Sequence, residues 1–261
     1  MKGSYICGTL FFVLIIMTSV KTLLLLAAAI LLQVACEKNS SSLAAMGAPV
    51  TAALQLRVDD SAWSYLALGD SYTIGQSVGV ADRYPVQAVQ LLRASGHQGT
   101  KDADIIATTG WTTGDLLNAV ENAHPAPVYN VVTLLIGVNN QFQGRSQSEY
   151  KEQFTALLQQ SIVLAGNKPS HVIVLSIPDY SVTPFARGSD VRLIASQIDS
   201  FNRINQAVST NYKVNYLDVT AESRKAAYDP SLLAEDGLHF SGKEYGIWVR
   251  LMGPFLEGIL K

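Results

Sequence analysis

From Ser64 onward, short runs of apolar and β-branched residues alternate with longer stretches whose apolar positions recur every three or four residues. The short runs are SYLAL (64–68), ADIIAT (103–108), YNVVTLLIG (129–137), HVIVLSI (171–177) and VNYLDV (214–219). Strands that are apolar throughout, rather than alternating with polar residues, are expected where helices cover both faces of a sheet. The intervening stretches supply those helices. RYPVQAVQLLRASG (83–96) sets Val86, Val89, Leu91 and Leu92 near one face and stops on glycine, and TTGDLLNAVENAH (112–124) opens on threonine caps. SQSEYKEQFTALLQQSIVLAG (146–166) spaces Phe154, Leu157, Leu158, Ile162 and Leu164 along a helix, and residues 190–212 and 241–260 complete the set. The pattern predicts an α/β fold, a three-layer α/β/α sandwich around a five-stranded parallel sheet, with no internal repeat and no second domain.

Ahead of this domain the pattern changes. Two apolar runs, TLFFVLIIM (9–17) and TLLLLAAAILLQVA (22–35), are separated by TSVK. Read from Met17, the second run has the short basic n-region and apolar h-region of a signal peptide, which makes Met17 a candidate start and residues 1–16 an upstream extension. The h-region stops at Ala35 and Cys36, and EKNSSSLAAMGAP (37–49) reads as a polar tether. A cysteine at that point resembles the lipobox of bacterial lipoproteins, although Gln33 stands where leucine is usual. The resemblance implies lipidation of Cys36 and cleavage of the leader just before it. Two other readings stay open: secretion after cleavage near Ala44 or Ala45, and an uncleaved anchor. Lys21 weighs against the anchor, since a basic residue mid-membrane costs about 2.5–3.5 kcal/mol and the second run is shorter than the ~20 residues of a span. The expected division is a leader over 1–36, a tether over 37–60 and one folded domain over 61–261. The chain is expected to be exported and lipid-anchored at the periplasmic or outer-membrane face of the cell envelope, or else secreted.

Composition narrows the partners. The 261 residues carry 19 Lys and Arg against 21 Asp and Glu, a formal net charge of -2, and no basic run argues for a nucleic-acid surface. Only Cys7 and Cys36 occur, so the domain proper offers neither a thiol nucleophile nor a cysteine-ligated metal. No group of histidines and carboxylates has metal-ligand spacing. GLHFSGKE (237–244) follows a P-loop as far as Gly242 and Lys243, then has Glu244 where Ser or Thr must bind magnesium, and no apolar strand precedes it. No cofactor and no metal are expected.

In open parallel sheets, chemistry gathers at the carboxyl ends of the strands. The first run ends Gly69, Asp70, Ser71; the second leads to Gly110; the third leads to Gly137, Asn139 and Asn140. Near the C-terminus, EDGLHFSG sets Asp236 three residues before His239. Ser, Gly, Asn and His in that order at those places resemble the SGNH, or GDSL, hydrolase superfamily over residues 64–250. The resemblance implies a flavodoxin-like sandwich and a serine esterase. A serine hydroxyl needs an adjacent base to become a nucleophile. His239 is the plausible base for Ser71, with Asp236 to hold its tautomer and stabilise the imidazolium. By resemblance, the oxyanion donors are the backbone N–H groups of Ser71 and Gly110 and the side-chain amide of Asn139.

Other positions read more plainly. Asp70 is expected to cap the helix after Ser71, and His97, His124 and His171 to be surface or satisfied histidines. Asn140 stands where the family usually has aspartate; Phe240 replaces a common proline and Tyr72 a leucine, and either of these two is a candidate to reshape the pocket wall. The signature Gly-x-Ser-x-Gly is absent, with Thr73 in its fifth position. Segments 72–109 and 111–136 leave no room for a helical cap, so PDYSVTPFARGSD (178–190) is the candidate wall of an open cleft. The expected substrate is a small-molecule carboxylic ester with an acetyl to butyryl group, taken by a monomer. A lysophospholipase or thioesterase, a carbohydrate O-acetyl esterase, and a non-catalytic surface binding module are the alternatives.

Overall fold

The computed structural model describes residues 62–261. The leader and tether expected over 1–60, Met17 and Cys36 included, lie outside the described residues.

Five parallel strands form one sheet in the order β2-β1-β3-β4-β5. They are β1 (Tyr65–Gly69), β2 (Asp104–Ala107), β3 (Val131–Leu135), β4 (Val172–Leu175) and β5 (Asn215–Leu217), each on one of the five apolar runs. The three central strands are buried along their whole length. The two edge strands are less enclosed. Asp104 of β2 is exposed, and Ile105, Ile106, Asn215 and Tyr216 are half-buried, because an edge strand has a neighbour on one side only.

The helices are α1 (Ser71–Ile74), α2 (Tyr84–Ala94), α3 (Thr113–Ala123), α4 (Val138–Phe142), α5 (Gln147–Leu164), α6 (Val191–Asn211), α7 (Thr220–Ser223) and α8 (Gly242–Ile259). The five long ones are those the periodicity predicts; α1, α4 and α7 are too short to leave a period. Right-handed crossovers that run in opposite directions along a sheet leave their helices on opposite faces. Here α2 carries the chain outward from β1 to β2, whereas α3, α5 and α6 carry it back towards β5, and the contacts agree: α2 packs on α8, and α5 on α3 and α6. The buried stripes are rotated from the expected ones. In α2 they are Tyr84, Pro85, Ala88, Val89 and Leu92, and in α5 Tyr150, Phe154, Leu157, Leu158 and Ser161, while Val86, Leu91, Ile162 and Leu164 are half-buried. A tyrosine near the start of each helix, Tyr84 and Tyr150, is fully buried within that stripe.

The register positions the site. Gly69 of β1 pairs with Ala107 of β2 on one side and Leu135 of β3 on the other. Three carboxyl ends therefore stop level, at the place where the strand order reverses and a crevice opens. Ser71 follows that line by two residues, Gly110 by three and Asn139 by four. Gly69 itself has no room for a side chain, since a Cβ would run into the Thr73 side chain and the Leu135 carbonyl. Gly69→Ala is expected to cost about 1–3 kcal/mol of stability through overpacking. Gly258→Ala, in α8 where an added methyl meets no atom within 4 Å, is expected to gain about 0.5–1 kcal/mol. Urea denaturation of both variants checks this; shifts of the same sign would refute it.

Candidate active site

Ser71 opens α1, and Asp70 is its N-cap, accepting the Tyr72 N–H on Oδ1 at 3.1 Å, as the sequence suggests. The Ser71 carbonyl accepts the N–H groups of Gly75 and Gln76 at 3.0 and 2.9 Å, which closes this short helix at once. Ser71 lines a cavity of about 140 Å³ together with Gly110, Asn139 and His239. All four sequence blocks thus meet at one place.

Asp236 and His239 share one loop. Oδ1 of Asp236 accepts the backbone N–H groups of Leu238 and His239 at 3.0 and 2.9 Å, and Oδ2 faces His239 Nδ1 at 2.6 Å. Oδ2 also accepts the Ser77 hydroxyl at 2.7 Å. Partial burial alone would raise this carboxyl, but the hydrogen bonds from His239, Ser77, and the backbone of residues 238 and 239 outweigh it. They hold the group far below the usual carboxylate range. Asp236 is therefore charged at neutral pH and fixes the imidazole through Nδ1, leaving Nε2 free. Ser71 Oγ makes no hydrogen bond to His239 in this conformation, although both line the cavity. Such bonds commonly tighten only when substrate is bound.

Three donors surround the same space. Neither Ser71 N–H nor Gly110 N–H has a hydrogen-bond partner among the described residues. Gly110 adopts φ +88°, a left-handed conformation suited to glycine, and a Cβ there would meet nothing within 4 Å, so its backbone is open to approach. Asn139 donates one amide hydrogen to the Trp111 carbonyl at 2.9 Å, which orients the amide and leaves the second hydrogen available. Its neighbour Asn140 is buried and grips Thr113 twice, accepting from its N–H at 2.9 Å and donating to its hydroxyl at 2.7 Å. Because Asn140 is the donor in the second bond, the Thr113 hydroxyl is free to donate onward to Gln153. The departure from aspartate thus belongs to a complete network that ties α4 to the start of α3.

The two aromatic departures are coupled. Tyr72 lines the cavity and sets its ring edge-on to His239, with centroids 5.7 Å apart. Phe240 does not line the cavity: it is fully buried, packed between Tyr72 and Trp248, so the expectation that it shapes the wall holds for Tyr72 only. The wall itself comes from Tyr180 and Phe185 of the 178–190 loop, as expected, and from Phe142 at the end of α4, which the sequence reading missed. The other histidines are occupied elsewhere or exposed. His97 packs on Trp63, His171 bonds the Asn130 carbonyl, and His124 lies at the exposed end of α3. Lys243 pairs with Asp229.

A doubly wound parallel sheet with a serine, an Asp–His pair and three hydrogen-bond donors at its carboxyl edge defines the class as a hydrolase of the three-layer α/β/α type. More particularly, the chain belongs to the GDSL-like lipase/acylhydrolase family, whose model matches residues 67–247, well over half of the chain. It is an enzyme that hydrolyses ester bonds. Similar solved structures include TesA, at 16% identity over 75% of this chain and 99% of that one with a TM-score of 0.56. Axe2, an acetylxylan esterase from Geobacillus stearothermophilus, is 20% identical over 76% of this chain and 94% of its own, also at 0.56. The psychrotrophic esterase EstA from Pseudoalteromonas sp. is 16% identical over 76% and 98%, at 0.53. No curated protein sequence matches the chain.

Beside Ser71, Asp70 is wholly buried with Oδ2 unpartnered. Burial pushes its carboxyl from 3.8 up to about 7, against the pull of nearby backbone N–H groups. In that window the folded chain keeps a proton that the unfolded chain releases, so the stability from this group is full below 3.8 and is lost as pH rises through about 7. Asp70→Asn, which cannot ionise, is expected to gain thermal stability over the wild type by a margin that grows from about pH 5 to about pH 8. A margin that stays constant across those pH values would contradict this account.

Proposed function

We propose that the protein is a serine esterase that hydrolyses small-molecule carboxylic esters with short acyl groups. Ser71 is the nucleophile, His239 the general base and acid, and Asp236 the group that orients and stabilises the imidazolium. The carrying observation is the pair of unpartnered N–H groups, at Ser71 and Gly110, beside the Asn139 amide and next to the Asp–His pair. Donors aimed at developing negative charge are what acyl transfer requires. In the proposed sequence, Ser71 Oγ attacks the ester carbonyl as His239 Nε2 takes its proton. The tetrahedral oxyanion is met by the three donors, and the alkoxide leaves with the proton from His239. Water, deprotonated by the same nitrogen, then attacks the acyl-enzyme, releases the acid and restores the Ser71 hydroxyl.

The acyl preference follows from the wall. Phe142 and Phe185 are 59% and 50% exposed, so the rim stands in water and no lid covers it among the described residues. The cavity of about 140 Å³ is also small beside the ~300–1,000 Å³ of sites that engulf drug-sized ligands. A chain extending past the rim gains only part of the ~0.8 kcal/mol that a fully buried methylene contributes. The apolar wall (Val138, Phe142, Tyr180, Phe185 and Leu238) favours an aliphatic acyl group over a polar or charged one. Two of the fold relatives are named as esterases, which supports the reaction class.

A fluorophosphonate probe is expected to label Ser71, with labelling lost in Ser71→Ala and His239→Ala. Across p-nitrophenyl esters, kcat/KM is expected to peak between acetate and butyrate. An unlabelled wild type would overturn the serine mechanism in favour of a binding module, and a peak at ten carbons or more would favour a lysophospholipase or thioesterase.

We further propose that the chain is bacterial, exported, and held at the cell envelope by lipid on Cys36; the support is the leader pattern ending at that cysteine. Cys36→Ser is expected to block both leader processing and acylation. Mass spectrometry that finds a mature N-terminus beyond residue 40 would overturn the anchor.

A further inference from the structure

We propose that Ser77 is a positioning residue of the active site, the brace that keys the Asp236–His239 loop to the segment carrying Ser71. This rests on the roles proposed above for Ser71, His239 and Asp236. Four hydrogen-bond donors serve the Asp236 carboxylate. Three of them, the N–H groups of Leu238 and His239 and the His239 ring, belong to its own loop. The fourth is the Ser77 hydroxyl, 159 positions away in sequence and only six after Ser71. Among the described residues it is the one hydrogen bond between the nucleophile's segment and the loop of the acid–base pair. It also falls on Oδ2, the oxygen that faces His239 Nδ1, so it sets the direction from which that carboxylate oxygen meets the ring.

The backbone supports the same conclusion. Ser77 adopts φ +64°, a left-handed conformation that costs a non-glycine residue energy and persists where something over-determines it. The residue is exposed, so packing does not demand it. Glycine would fit this backbone without strain but would lack the hydroxyl. The adjoining Gln76 reaches the other way, accepting the Thr109 hydroxyl at 2.7 Å next to Gly110. One turn, entered directly from α1, thus holds both the acid–base loop and the oxyanion loop to the nucleophile's segment.

The test uses the full chain, with steady-state kinetics on p-nitrophenyl acetate, the rate of fluorophosphonate labelling, and thermal melting. Ser77→Gly removes hydroxyl and strain together. It is expected to melt at or above the wild-type temperature and to keep KM within about twofold, while kcat and the labelling rate fall by about 5- to 20-fold, in line with loss of one hydrogen bond to a charged group. Ser77→Asn and Ser77→Asp are nearly isosteric and both tolerate the left-handed backbone, but only asparagine donates. The asparagine variant is expected to be at least about fivefold faster than the aspartate variant. Wild-type kcat in Ser77→Gly, a melting temperature that falls along with its kcat, or equal rates for Asn and Asp would each overturn the proposal. The underlying roles fail separately: if the probe does not label wild-type Ser71, those roles fall and this one with them, whereas normal labelling of both wild type and Ser77→Gly refutes the brace alone.

Discussion

Gly69 meets Ala107 on one side and Leu135 on the other, and every feature of the crevice depends on those two pairings. A strand buried on both faces specifies its register weakly by side-chain pattern, because a slip exchanges one apolar residue for another. Buried hydroxyls restore the specificity, since each must find a partner. Thr133 of β3 meets Tyr65 Oη of β1 at 2.9 Å and Tyr84 Oη of α2 at 3.3 Å, and Tyr84 Oη in turn meets Thr73 of α1 at 3.3 Å. This chain of four hydroxyls crosses from β1 through β3 and α2 to the helix that begins at Ser71. A one-residue slip of β3 would break it and would also leave Asn139 out of line with Ser71 and Gly110.

Two aspartates near the reactive pair live in opposite environments. Asp70 is fully enclosed with one oxygen unpartnered, and burial holds its carboxyl near neutrality. Asp236 is partly open to water and takes four hydrogen bonds, which hold it down. Environment, not residue type, separates their roles. Asp236 supplies a fixed negative charge to the imidazole, while Asp70 caps α1 and carries an electrostatic cost above neutral pH. Their contributions to stability run in opposite directions: acid favours Asp70, whereas the stability from Asp236 is lost as pH falls through its depressed value.

The legible parts of this molecule are those written in consecutive residues. Five apolar runs became five strands, and five amphipathic stretches became the long helices. Ser71, Gly110, Asn139, Asp236 and His239 could be picked out because each sits just past a strand or on a short motif, and they do line or border one cavity. What stayed hidden depends on spatial neighbours. The partial exposure of β2 and β5 requires the strand order, which no run discloses. The bond from Ser77 to Asp236 joins positions far apart, and nothing in QSVG marks it. Phe142 ends a helix of five residues, too short to display a face. Phe240 looked like a wall residue by adjacency to His239, but its ring turns into the core against Tyr72 and Trp248, which no local pattern discloses.

The way the wall is attached separates specificity from chemistry. The loop after β4 meets the Asp236–His239 loop through its backbone, with Phe185 N–H donating to the Gly237 carbonyl at 3.0 Å. A backbone bond does not depend on which side chain the residue carries. The Phe185 ring meanwhile packs on Phe142 and Tyr180, at centroid distances of 6.1 and 6.4 Å, and touches neither Asp236 nor His239 in any hydrogen bond. Changing the ring at 142 or 185 therefore alters the depth and shape of the cavity while the carbonyl–amide link keeps the Asp236–His239 loop in register. The reverse does not hold. Asp236 and Asn140 each combine backbone bonds with one side-chain bond that a substitution can remove: the Ser77 hydroxyl on Asp236 and the Thr113 hydroxyl on Asn140. A substitution at Ser77 or Thr113 removes a bond whose direction the remaining backbone bonds do not supply, so the wall rings are the positions this architecture leaves freest to vary.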